Sequence, residues 1–383
     1  MPCRGKDDSN RSWRRNWPLP RSSSMDDGSI SSYGPRAMFS PDRFNPAAGA
    51  LSWVGSLDDA TPLSCPSLSS SSSSSASEHA ISSSCSLMSA RGPSDRKLAP
   101  QLSNLEKQAV GRLKIDRADV HFAYRPVGGS KRVYKAELNG EMRAAKMLNI
   151  LGMSKDDVAD VLETFDAELL ALSRLSTANI VKVYGASVSP AEIIVVSEFV
   201  EGGTLRDLLS DDRKQKELNA RTRLSIAQDV AEGMKNLYTH GMQHRNLSST
   251  AILLTHDWRA KIIGVGLSIT MGMISEFNGD EPTEEEAAKG LLWASREVLA
   301  GAGFSEKSDV YSFGILLWEI MEEDGSLPYA DMEPCEVLGA KYNGQGPPIA
   351  RDCPPAIKSL MESCWSNQPA NRPSFDKICE MLK

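Results

Sequence analysis

Hydrophobic and polar positions divide the chain into three stretches. Residues 1–112 are dominated by Ser, Pro and Gly, sustain no apolar periodicity, and include an unbroken serine run over 69–75. Such a stretch buries too little apolar surface to offset the entropy of ordering its backbone, so it is predicted to be disordered. Short β-branched and aromatic runs begin near Val120. Asn139-Gly140 separates apolar runs at 132–138 and 141–148, the pattern of a β-hairpin. A helix is predicted over 161–175, and further strands over 180–184 and 193–199. Beyond Gly202-Gly203 the period turns helical: Leu224, Ala227, Val230, Ala231, Met234, Leu237 and Tyr238 fall on one face. Residues 311–321 and 376–382 predict two more helices. A strand-rich lobe over 119–200 followed by a helical lobe over 201–383 is an α+β, bilobal arrangement.

Composition narrows the function classes. Residues 1–100 carry 11 Lys/Arg against 9 Asp/Glu, leaving 32 basic and 41 acidic residues in the folded part. That acidic excess argues against a nucleic-acid-binding face. No apolar run approaches the roughly 20 residues of a membrane span, so no transmembrane segment is expected. The seven cysteines, at 3, 65, 85, 335, 353, 364 and 379, form no Cys-x-x-Cys pair, which fits reduced thiols and a cytoplasmic location. The N-terminus lacks an apolar signal core, and Pro2 excludes N-myristoylation. Its Arg/Ser bias suits an organelle transit peptide, against which Asp7, Asp8, Asp26 and Asp27 weigh. The serines are candidate phosphorylation sites or simply a solvated linker.

Three segments recur in a telling order: Arg143-Ala144-Ala145-Lys146, then His244-Arg245-Asn246-Leu247, then Ser308-Asp309 leading to Phe313-Gly314. With Asn179-Ile180-Val181, the run from Glu201 to Leu205, Cys364-Trp365 and Asn371-Arg372-Pro373-Ser374, this set resembles a eukaryotic protein kinase domain over about 120–383. It looks closest to the tyrosine-kinase-like serine/threonine branch. The resemblance implies a strand lysine on the nucleotide phosphates, matched by Lys146, and a helix glutamate paired with it, matched by Glu168. It further implies an adenine pocket of Val133, Ala144 and Leu253, a gatekeeper at Ser197, and a hinge at Glu198-Phe199-Val200. Val127 and Gly128 fall in the loop over the phosphates. His244, Arg245, Asp309 and a Glu297–Arg372 ion pair match structural positions.

The same resemblance marks what is missing. The family holds magnesium with an aspartate before Phe-Gly and an asparagine in the catalytic loop; Gly264 and Ala251 stand there and have no ligating atoms. The carboxylate that accepts the substrate proton is replaced by Asn246, and the loop lysine by Ser248. Pro126 and Lys131 stand where two of three glycines belong. Loss of a general base alone is worth about 10²–10⁴ in rate. Three readings follow: a pseudokinase serving as scaffold or allosteric partner of an active kinase or its substrate; an atypical active serine/threonine kinase using a carboxylate from elsewhere, such as Asp257 or 284–286; and a switch that binds ATP without metal. The stretch 267–292 corresponds to the activation segment, with Ser268, Thr270, Ser275 and Thr283 beside the acidic run, and Arg245 is placed to pair with a phosphate or one of those acids.

Overall fold

The computed structural model describes residues 104–126, 132–175, 177–279 and 284–383. The serine-rich stretch before 104 and the Val127, Gly128, Lys131 and Thr283 positions lie outside them. A first helix, α1 (Asn104–Gly111), precedes the strands. Its Val110 is buried, Ile115 N–H donates to Ala186 O and Ala186 N–H to Leu113 O, so the fold begins earlier than the boundary at 112 that composition suggests. Val110, the partly buried Leu113 and Ile115, and the bridge from Lys114 to Ala186 hold this segment, and they leave no periodic signal in the sequence.

Five antiparallel strands follow: β1 (His121–Pro126), β2 (Val133–Leu138), β3 (Glu141–Asn149), β4 (Val183–Val188) and β5 (Glu192–Glu198), in the order β1-β2-β3-β5-β4. The β2–β3 hairpin turns at Asn139-Gly140, both at positive φ, as an Asn-Gly turn requires. The predicted strand over 180–184 starts instead at Val183; Ile180 forms only an isolated bridge to Ile262, because the flanking Asn179 O and Val181 N–H are taken by Ile262 of the helical lobe. Side chains alternate between two faces of this sheet. Ala136, Leu138, Ala145, Ile194 and Val196 pack outward against Val120. Leu148, Ile193 and Val195 face inward, onto α2 (Lys155–Arg174), whose Val161, Phe165, Leu169 and Leu172 meet them. The helix starts six residues before the predicted 161 because Ser154 caps it, its hydroxyl accepting from Asp157 N–H.

The second lobe holds α3 (Leu205–Ser210), α4 (Asp212–Gln215), α5 (Ala220–Thr239), the hairpin β6 (Ile252–Leu254)–β7 (Ala260–Ile262), α6 (Ser268–Asn278), α7 (Glu284–Trp293), α8 (Arg296–Leu299), α9 (Glu306–Met321), α10 (Pro334–Tyr342), α11 (Pro355–Cys364) and α12 (Phe375–Met381). In α9, every residue from Ser308 to Ile320 is buried, so this helix is the lobe's central post. Among the described residues no helix is long and apolar enough to cross a membrane.

Candidate functional site

The cleft between the lobes is built from strand register. In β2–β3–β5, Val133 pairs with Lys146 and Lys146 with Val195, while Ala144 pairs with Ser197. Directly opposed residues share a face, so Val133, Ala144, Lys146 and Ser197 all line the sheet's inward side. Glu198 ends β5; its N–H donates to Lys182 O, and its carboxylate takes the Lys261 ammonium at 2.9 Å, tying the hinge to β7. Val200 is buried, and Leu253 on β6 bridges to Thr204 across the floor.

The loop between α5 and β6 is fastened from below. Asp309, buried in the first turn of α9, accepts from His244 N–H at 2.8 Å, Arg245 N–H at 2.9 Å and the Tyr238 hydroxyl. Arg245 adopts a left-handed φ of 68° within that grip. His244 is fully buried, and desolvation holds its pKa below the ordinary value; its Nε2 lies 3.0 Å from Ile263 O. Ile263 N–H in turn donates to Ala251 O, and Asn246 N–H points at His244 Nδ1. These links bring Asn246, Ala251 and Gly264 into one neighbourhood. Ser248 spends its hydroxyl on Thr250 at 2.9 Å.

At the two positions where the family ligates magnesium, Gly264 and Ala251 have no side-chain oxygen, and Asn246, where the family has its proton acceptor, carries a neutral amide that takes up no proton near neutral pH. Gly264 has a φ of 82° and open space where a Cβ would sit. Two residues on, Gly266 is needed for close approach, since a Cβ there would stand 2.7 Å from Met242 Cε and 3.0 Å from Leu172. Asp257, a candidate substitute base, sits on the β6–β7 turn, at the opposite end of the hairpin from Ala251. Its carboxyl accepts from the Thr255 hydroxyl at 2.5 Å, which holds its pKa below the usual carboxylate value. The side chains of 284–286 lie outside the described residues.

Sequence reasoning missed α6. The first turn of this helix has Leu267 as its N-cap, a residue with no oxygen to offer the free N–H groups. Glu168 on α2 supplies it: Oε1 accepts from Ile269 N–H at 3.1 Å, and Oε2 from Thr270 N–H at 3.0 Å and from the Thr270 hydroxyl. Thr270 and Ile274 are fully buried by this docking. Met271, on the next position, carries its sulfur to the strand lysine, whose Nζ donates to Sδ at 3.0 Å. Among the described residues no ion pair joins Lys146 to Glu168, in contrast to the pairing the family resemblance implies. The reason is that α6 lies between the two and takes the carboxylate for its own N-terminus. Desolvation, with help from the neighbouring Arg132 charge, lowers the Lys146 pKa to about 8. The only hint of this in the sequence was the apolar run Met271–Ile274, which reads equally well as loop or helix.

Glu297 and Arg372 meet in a bidentate pair at 2.5 and 3.0 Å, with the arginine side chain fully buried. Burial alone would raise the Glu297 carboxyl, but the Arg372 hydrogen bonds and charge outweigh it and hold the pKa below the usual value.

Residues 127–382 match the family model described as protein tyrosine and serine/threonine kinase. The chain belongs to the protein kinase family. Its relatives are of the tyrosine-kinase-like serine/threonine type. A probable LIM domain-containing serine/threonine-protein kinase of Dictyostelium discoideum is 35% identical over 67% of this chain and 37% of its own length. Serine/threonine-protein kinase CTR1 of Arabidopsis thaliana is 33% identical over 67% of the chain and 30% of its own length. Serine/threonine/tyrosine-protein kinase HT1 of the same plant is 31% identical over 67% and 63%. The kinase domain thus spans about a third of the first two relatives, and about two thirds of the third. In the present kinase domain, the cleft where the family's nucleotide phosphates belong is occupied at Lys146 by Met271.

Proposed function

We propose that this kinase domain is a pseudokinase, a folded platform that signals through its conformation to other signalling proteins, an active kinase or its substrate in particular, with phosphoryl transfer lost. The single observation that carries the reading is the joint state of the cleft: no metal donor at Ala251 or Gly264, no base at Asn246, and the phosphate-contacting lysine covered by Met271. Each loss is large by itself. General-base catalysis is worth about 10²–10⁴ in rate, and metal charge stabilisation several kcal/mol more, at about 1.4 kcal/mol per decade. Meanwhile the Asp309 anchor and the buried Glu297–Arg372 pair are formed, which supports an intact kinase-like helical lobe. The relatives' names describe kinases, so the reading separates this chain from them on its own residues.

ATP binding is part of the proposal. Val133, Ala144 and Leu253 are the apolar residues that match the family's adenine pocket, with Ser197 beside Ala144 in register, and Lys146 becomes available to phosphates once Met271 withdraws. Purified protein with magnesium or manganese should transfer no phosphate above background. Turnover that Lys146→Met abolishes would establish the alternative, an active kinase with a displaced carboxylate. ATP should raise the melting temperature equally in magnesium and in EDTA; no shift in either removes nucleotide from the function, and a magnesium-dependent shift removes the metal-free mode.

A further inference from the structure

We infer that Met271 is a peroxide-sensitive modification site whose sulfoxide clamps Lys146 and keeps the cleft closed, a regulation that rests on the pseudokinase reading only for its consequence at the nucleotide. Three observations on separate elements converge there. Met271 is a half-buried residue at the cleft, and its contact with Lys146 is only partly shielded from solvent. One of its lone pairs receives the Lys146 amine at 3.0 Å. And the Glu168 carboxylate fixes the helix that carries it through three hydrogen bonds, so the sulfur is held in place rather than sampling solvent freely.

Oxidation needs a peroxide. The sulfur lone pair attacks the distal peroxide oxygen, the O–O bond breaks, a proton moves to the departing oxygen, and the products are the sulfoxide and water. Sulfur loses two electrons and the peroxide gains them. A thioether is a weak acceptor, whereas the sulfoxide oxygen is a strong one facing an ammonium donor. The flexible lysine stem accommodates the added atom, and the new charge-assisted bond favours the protonated amine. Lys146 and Met271 are therefore coupled in both directions: a protonated amine engages the lone pair and slows oxidation, and oxidation favours protonation.

The charged groups facing this pair are Arg132 ahead of β2 and Glu168 from α2. In β5 the stretch 193–197 has no charge, and in α6 the stretch 268–273 has none, with Glu276 one turn further on. Because the Lys146 amine titrates at about 8, Met271 oxidation should accelerate as pH rises through that value. The exposed Met142, Met332 and Met381 have no such amine hydrogen bond and serve as flat internal references.

The test treats the full chain with hydrogen peroxide at a series of pH values between 6 and 10, and maps methionine oxidation by peptide mass spectrometry alongside acylation of Lys146. The expected result is a Met271 rate that climbs several-fold relative to the three references, and, after oxidation, a Lys146 acylation midpoint displaced upward. In Met271→Leu the upward displacement should vanish. A Met271 rate that follows the references at every pH overturns the coupling. Faster Lys146 acylation after oxidation overturns the clamp, because it would mean that α6 is expelled. Neither readout involves ATP or phosphotransfer, so failure of the pseudokinase reading, seen as turnover, is distinguishable from failure here.

Discussion

At the scale of single residues, the most informative is Lys146. Its amine sits among strand residues and a thioether, without a carboxylate among the causes of its shift, and desolvation brings its pKa from the ordinary 10.5 to about 8. Between those two values the unfolded chain holds a proton that the folded chain has released. Stability from this group therefore rises as pH climbs from about 8 to about 10.5, and is at its lowest below 8. At pH 8, about half of Lys146 is neutral, against under about 1% of an ordinary lysine. Pulse acylation with mass-spectrometric readout should find Lys146 half-maximally reactive near pH 8, well before the exposed lysines. A midpoint with the bulk would show that the amine is solvated and not held against Met271. Lys341 is more deeply buried still, with its Nζ donating to Leu292 O and Ala294 O, and should not label at all in the folded protein.

At the scale of elements, α6 is a short helix that does not cap itself. Its stability comes from outside, from a carboxylate one lobe away on α2 and from the burial of Thr270 and Ile274. An external cap of this kind is worth about 1–2 kcal/mol, or about ten-fold in the opening equilibrium. In Glu168→Ala, amide exchange at Ile269 and Thr270 should rise by about that factor while exchange in α9 stays unchanged. Equal protection in the variant would mean that packing of Ile274 alone seats the helix. The element scale is also where sequence reading was weakest. Strands β2, β3 and β5 and helices α2, α5, α9 and α12 were legible because alternation and helical periodicity were strong. Helix α6 was not, since Met, Gly, Ile and Ser at 271–275 carry no cap, no charge pair and no clear stripe.

At the scale of the whole molecule, the helical lobe is organised around α9 and two buried polar anchors. Asp309 ties the α5–β6 loop to the helix, and Arg372 ties α8 to the chain before α12. Leaving one charge of a buried pair alone costs about 3–5 kcal/mol, so Arg372→Met should lower stability by that amount in denaturant unfolding, with the N-lobe sheet affected only through loss of its partner lobe. The acid side follows from the same groups. Glu297 has its folded pKa below the usual 4.5, so its contribution is present above that value and is lost as pH falls through the lower folded value. His244, held neutral by burial, adds a penalty once pH falls below the ordinary 6.5. Melting temperature should therefore decline from about pH 6.5 downward and more steeply below 4.5. In Glu297→Gln the steep lower part should flatten; an unchanged profile would place acid sensitivity elsewhere.

The sequence by itself determined the family resemblance, the two-lobed order of elements, the missing carboxylate at Asn246 and the absence of side-chain ligand atoms at Ala251 and Gly264, because these depend on residue identity at fixed spacing and not on where side chains end up. The α1 boundary and the state of the cleft were decided only in three dimensions. Lys146 and Glu168 have several partners of similar strength within reach, and which they take depends on whether α6 docks between them. A carboxylate satisfies a helix N-terminus about as well as an ammonium does a carboxylate, so local sequence holds no preference between the two. Burial of Thr270 and Ile274 tips that balance, and burial is a property of the assembled fold.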